Sequence, residues 1–234
     1  MQLLVKQAVC SGRYFLSVIA LCMLGGQGHI SLYSQSFDED TVRAKALLVE
    51  GNTLVSQGKL AEAAQLTKES KLLVKQHDLR GKYLLASNNQ LKLLIYLGKI
   101  NEARKIFEGD RAYVFPELDS AYKHVNMHLE IGFRLAIEFE DPEEANQFAQ
   151  ILMRRVLEQE SLDSIKWASS LDRMSRVAKM KGNLSKALKY DLQAYQIRKN
   201  HPETSLIDLQ FSFFNLGQSY RDLGDIGQAI YFFQ

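Results

Sequence analysis

Apolar side chains recur three and four positions apart along most of the chain, and short polar turns cut the stretches that carry them at regular intervals. That spacing gathers one apolar stripe on a helix; the strict alternation of a half-buried strand does not occur. The pattern predicts helix pairs at about 41–56 and 60–76, 81–97 and 101–113, 118–139 and 142–158, 162–181 and 185–200, then 204–223 and 227 onward. The turns inside the pairs are alike. Each has a glycine or an acid followed five residues later by alanine: QGKLAEA ending at Ala63, LGKINEA at Ala103, EDPEEA at Ala145, KGNLSKA at Ala187 and LGDIGQA at Ala229. The alanines lie 40, 42, 42 and 42 residues apart. A fixed period in this range marks stacked supersecondary units, each too small to bury its own apolar face.

Gly58, Gly98, Gly182 and Gly224 fit the left-handed position that ends a helix, where a Cβ would crowd the backbone. In the third unit Glu140 and Asp141 replace the glycine, which makes its signature the weakest, and Pro142 follows in a helix first turn where its missing N–H costs little. The repeated alanine is expected on the inner face of each second helix, where a small side chain lets two backbones approach.

Phe213, Leu216, Gly217, Tyr220, Leu223, Gly224, Ala229 and Phe233 resemble a tetratricopeptide repeat (TPR), and the preceding unit keeps Leu171, Gly182, Ala187 and Ala194. The stretch QIRKNHPETSLIDLQFSFFNLGQSY resembles the 42-residue variety found in kinesin light chains and many bacterial regulators. Against the family's usual 34 residues, eight more give about two extra helical turns per unit. The resemblance covers roughly residues 41–234. It implies an all-α fold, a right-handed α-α superhelix of about five helix pairs, whose first helices line a groove for a protein or peptide ligand.

Residues 1–34 differ from the rest. They hold Lys6 and Arg13 but no acid, then the apolar run Tyr14–Leu24, then small residues near Ser34. This resembles a secretory signal peptide, its 11-residue apolar run short for a bilayer span. It predicts export to the periplasmic or extracellular side of a bacterial membrane. An uncleaved anchor from Tyr14 to about Tyr33 and a lipoprotein modified at Cys22 are the competing readings. Gly25, Gly26, Gln27, Gly28 and His29 weaken the first, and Leu21 before the cysteine weakens the second. Without residues 1–34 the 29 basic and 27 acidic residues become 27 of each. A neutral remainder gives no electrostatic reason to expect nucleic acid as a partner. Cys10 and Cys22 both lie in the leader, so the exported part has no disulfide.

No nucleophile motif, phosphate loop or dinucleotide fingerprint is present, so neither catalysis nor a cofactor is expected. His124 and His128 stand four apart, but HVNMH lacks the glutamate of HExxH; they read as helix-surface or interface histidines, with no metal. Pairs such as Glu143-Glu144 are first-turn acids. What remains is a surface. In register with the repeat, Asn52, Lys92, Arg134, Arg176 and Gln218 fall on equivalent first-helix positions, with Arg221 close to the last. The three cations suit an acidic or C-terminal carboxylate peptide. The opposing reading is that Glu130 and Asp172, one turn earlier, neutralise Arg134 and Arg176. The lysine and asparagine set with which the family clamps chaperone C-terminal peptides is incomplete here. Ile230, Tyr231, Phe232 and Phe233 are expected to be exposed on the last unit, which predicts self-association and a longer parent protein, an exported sensor of the histidine-kinase type. Its alternatives are a free-standing periplasmic or surface adaptor and a membrane-anchored cytosolic protein.

Overall fold

The computed structural model describes residues 27–77, 79–114, 124–158 and 164–234. They form ten helices: α1 (Gln27–Ser56), α2 (Leu60–Gln76), α3 (Arg80–Tyr96), α4 (Ile100–Val114), α5 (Val125–Glu138), α6 (Pro142–Leu157), α7 (Ser164–Met180), α8 (Leu184–Asn200), α9 (Leu206–Asp222) and α10 (Ile226–Phe233). No strand occurs among the described residues. Nor is any helix among them long and apolar enough to cross a membrane. Most of the leader, residues 1–26, lies outside the described residues.

The turn within every pair has one geometry. Gly58, Gly98, Gly182 and Gly224 take φ of 75°, 71°, 71° and 85°. In each, the amide after the left-handed residue reaches the carbonyl five residues back, as Lys59 N does to Leu54 O at 2.9 Å and Asn183 N to Ala178 O at 2.8 Å. The left-handed residue bonds three back, as Gly98 N does to Ile95 O at 3.1 Å. These two bonds satisfy carbonyls that the helix end would leave orphaned. Glu140 takes the same conformation at φ 53°, and Asp141 N reaches Ala136 O at 2.9 Å, so the third pair keeps its turn without glycine. The next residue opens the second helix. Asp141 accepts from the amides of Glu143 and Glu144 at 3.1 and 2.9 Å, Asn183 from Lys186 at 3.2 Å, and Asp225 from Gln228 at 3.0 Å.

The helix boundaries match the sequence pattern closely except at α1, which is already helical at Gln27, fourteen residues before the expected start at about residue 41. The stretch before residue 41 has no apolar stripe, but extending an existing helix costs little once it is nucleated. Two contacts also hold it: Phe37 meets the His77 ring edge-on at 5.1 Å, and His77 Nε2 lies 2.9 Å from Asp40 Oδ2. For α5 the expected segment 118–123 lies outside the described residues.

The chain divides into two compact units, up to Ala86 and from Ser87. In the first, α1 packs on α2 through small residues: Gly51 faces Ala63 and Thr67, and Ser70 Oγ donates to Ala44 O at 2.9 Å. In the second, consecutive helices from α6 to α10 pack in sequence, as do α4 on α5 and α5 on α6. The five turn-following alanines, Ala63, Ala103, Ala145, Ala187 and Ala229, are all buried, the first four completely. Around Ala103 and Ala145 sit Phe107 and Phe148, their rings edge-to-face at 5.7 Å. Ala168, Leu171 and Ala194 make a further core with Trp167, Tyr190 and Ile197. Large and small residues interlock directly. A Cβ on Gly217 would stand 2.5 Å from the Phe233 ring, so glycine there is what admits the aromatic of the second helix.

Candidate functional site: the first-helix face

The expected ligand-facing row lies on first helices at every position. In the N-terminal unit Asn52 is exposed on α1. In the C-terminal unit Lys92 on α3 and Gln218 on α9 are half-buried, while Arg134 on α5 and Arg176 on α7 are exposed. Arg221, also exposed, is held by its neighbour Asp222 at 3.0 Å.

The acids expected to neutralise this row do not do so. Glu130 accepts instead from Arg173 on the next first helix, with Arg173 Nε 2.9 Å from Oε2 and Nη2 on Oε1. Asp172 accepts from Arg198 at 3.2 and 2.5 Å and from Asn215 Nδ2 at 3.4 Å. The reason is geometric: a carboxylate one turn from an exposed arginine gains little from it, whereas a better-buried arginine on a neighbouring helix offers a bidentate fork less open to water. Arg134 is left with Glu138 at 4.0 Å and with Tyr96, whose ring centroid lies 5.9 Å from its guanidinium carbon. Arg176 and Lys92 have no ion pair among the described residues.

Beneath the row runs a polar seam joining successive first helices. Asn88 on α3 donates to the His124 carbonyl at 2.9 Å, and its Oδ1 lies 2.8 Å from His128 Nδ1 on α5. Glu130 and Arg173 join α5 to α7; Asp172 and Asn215 join α7 to α9. His128 is fully buried and stacked on Phe107 at 4.7 Å, so it is the interface residue of the histidine pair. His124 sits just before α5, where its carbonyl also takes the His128 amide. No group of residues suited to a metal ion occurs among the described residues.

A second polar cluster lies at the fourth junction. Buried Asp191 on α8 accepts from Ser219 Oγ on α9 at 2.5 Å and pairs with Lys179 on α7 at 3.1 Å. Burial raises its carboxyl above the usual aspartate value, against the lowering effects of the Ser219 hydroxyl and the Lys179 charge. Sequence reasoning missed this cluster and the exposed Tyr96. Asp191 carried a signal: it replaces the Ala149 and Phe107 of the register-equivalent positions in earlier pairs.

The aromatic end was seen in part. Ile230, Tyr231 and Phe233 are exposed as expected. Phe232 is not: it stacks on Tyr220 at 5.5 Å and meets Phe213 and Tyr195 at 6.2 and 6.3 Å.

No protein-family model matches the chain, and no curated protein sequence does. Solved structures do. A Podosopora anserina protein with nearly identical TPR-like repeats of the kinesin light chain kind is similar, in one of its crystal structures, at TM-score 0.67 and 16% identity, over 81% of this chain and 91% of that one. BtubC (BKLC) from P. vanneervenii is similar at TM-score 0.54 and 16% identity, over 84% and 87%. A double mutant of MamA RS-1 is similar at 0.56 and 12%, over 82% and 90%. At these identities the likeness is one of fold. The chain therefore has the all-α, TPR-like solenoid fold that the resemblance of its repeats implied.

Proposed function

We propose that the chain is a noncatalytic scaffold whose first-helix face holds an acidic segment of another protein. The observation that carries this reading is the commitment of Glu130 and Asp172 to Arg173 and Arg198, which leaves Arg134 and Arg176 exposed and, with Lys92, in one register row. Packed helices lie about 10 Å apart. An extended chain advances about 3.3 Å per residue, so cations on successive first helices match acids at every third residue. Exposed Tyr96 beside Arg134 adds an apolar surface at one end of the row.

The test is fluorescence anisotropy with a labelled extended peptide bearing glutamate at every third position, against its glutamine counterpart. Binding of the glutamate peptide should weaken with salt. Joint substitution Arg134→Ala and Arg176→Ala should reduce affinity by about tenfold, since an exposed ion pair contributes on the order of 0.5 to 1 kcal/mol and two are lost. Equal binding of both peptides, or undiminished binding by the double variant, contradicts the proposal.

Export is a separate proposal resting on the leader pattern of residues 1–34. Sequencing the amino terminus of the protein from its native host tests it: a start near Ser34 or Gln35 supports cleavage, and an intact Met1 opposes it. The role as input region of an exported signalling protein rests on that leader together with the 42-residue period, and fails if export fails.

A further inference from the structure

At the fourth junction α9 is received by charged side chains: Asp172 bonds Asn215, Asp191 bonds Ser219, and Arg198 Nη1 donates to Ser212 Oγ at 2.9 Å. Forty-two residues on, the positions of Asp172 and Asp191 are occupied by Phe214 and Phe233, their rings 6.0 Å apart. The surface that elsewhere takes a helix through hydrogen bonds is here aromatic. With Ile207, Gln210, Phe211, Phe213, Phe232 and Gln234 these rings line a hollow of about 560 Å³ in which no side chain is charged. Ile207, Phe211 and Phe214 are 63%, 59% and 53% exposed. So much contiguous apolar surface marks an interaction site rather than ordinary scatter.

We propose that this face pairs with the same face of a second copy of the chain. Two-fold pairing sets each patch against its own copy, so any charge in it would meet its like. The uncharged side chains of the lining meet that condition, and the other face, with its row of cations, does not. The size fits as well. Taking about 200 Å² for each large side chain, the exposed parts of Leu206, Ile207, Phe211, Phe213, Phe214 and Phe233 amount to roughly 680 Å² per copy. The two copies together reach about 1,350 Å², low in the range of a stable interface, which predicts a dimer that dissociates on dilution.

Sedimentation equilibrium of the 234-residue chain over about 1 to 100 µM, where an interface of this size dissociates, is the test. A monomer–dimer equilibrium is expected. Joint Phe211→Glu and Phe214→Glu substitution should give monomer throughout, with unchanged far-ultraviolet circular dichroism because both rings are more than half exposed. As a second measurement, Gln210→Cys with Cys10→Ser and Cys22→Ser should form a disulfide-linked dimer under mild oxidation. A parent chain that stays monomeric, or a glutamate variant that dimerises as the parent does, overturns the proposal. So does a monomeric parent that instead takes up an amphipathic helical peptide here. Binding of acidic peptide to the first-helix face should be the same in the glutamate variant and the parent, so the two proposals fail separately.

Discussion

Glu140 holds a backbone that glycine holds in the other four turns, at φ 53° against 71° to 85°. A side chain in that region costs about 1 to 2 kcal/mol, and glycine's greater freedom in the unfolded chain takes back part of any gain. Glu140→Gly should therefore stabilise the protein by about 0.5 to 1 kcal/mol, read as a higher urea midpoint at unchanged slope. A lower midpoint would mean the carboxylate has a compensating role. Gly132 is constrained differently: a Cβ there would stand 2.6 Å from both Phe107 and Phe148, rings that are buried and cannot withdraw. Gly132→Ala should destabilise by about 1 to 3 kcal/mol through overpacking, with no change expected in the turn at Glu140. The turn glycines and alanines were legible in the sequence because position and period single them out. Gly132 was not, because its reason is a contact with two residues on other helices that no local pattern encodes.

Helices and turns were legible to within a residue or two where the apolar stripe is strong, as in α4 and α6, because a 3.6-residue period and a left-handed stop are local facts. Cross-junction polar contacts were not. Glu130 pairs with Arg173, 43 residues away, while local charge reasoning looks one turn along the same helix and chooses Arg134. A repeat makes residues one period apart into neighbours, so the period itself was the missing guide. The Asp191 junction between α7, α8 and α9 carries a prediction of its own. Its carboxyl is raised above the ordinary 3.8 chiefly by burial, so the folded state holds the proton more tightly than the unfolded chain. The associated stability is fully present below about pH 3.8 and is lost as pH rises through the elevated folded value. In urea titrations across acid to neutral pH, the parent should lose stability relative to Asp191→Asn as pH rises. Parallel curves for the two proteins would remove Asp191 from the pH response.

At the scale of the whole molecule, the period decides the fold and the departures from it decide the surfaces. Where pairs repeat faithfully, alanine and aromatic interlock; where they depart, acids and arginines join the junctions and leave the first-helix cations outward. The account's central claim is that binding uses this face, which makes hydrogen exchange with and without the every-third-glutamate peptide the most direct measurement. Slower exchange confined to α3, α5 and α7 around Lys92, Arg134 and Arg176 is the predicted result. Protection on α4, α6 and α8 instead, with the first helices unchanged, would contradict it.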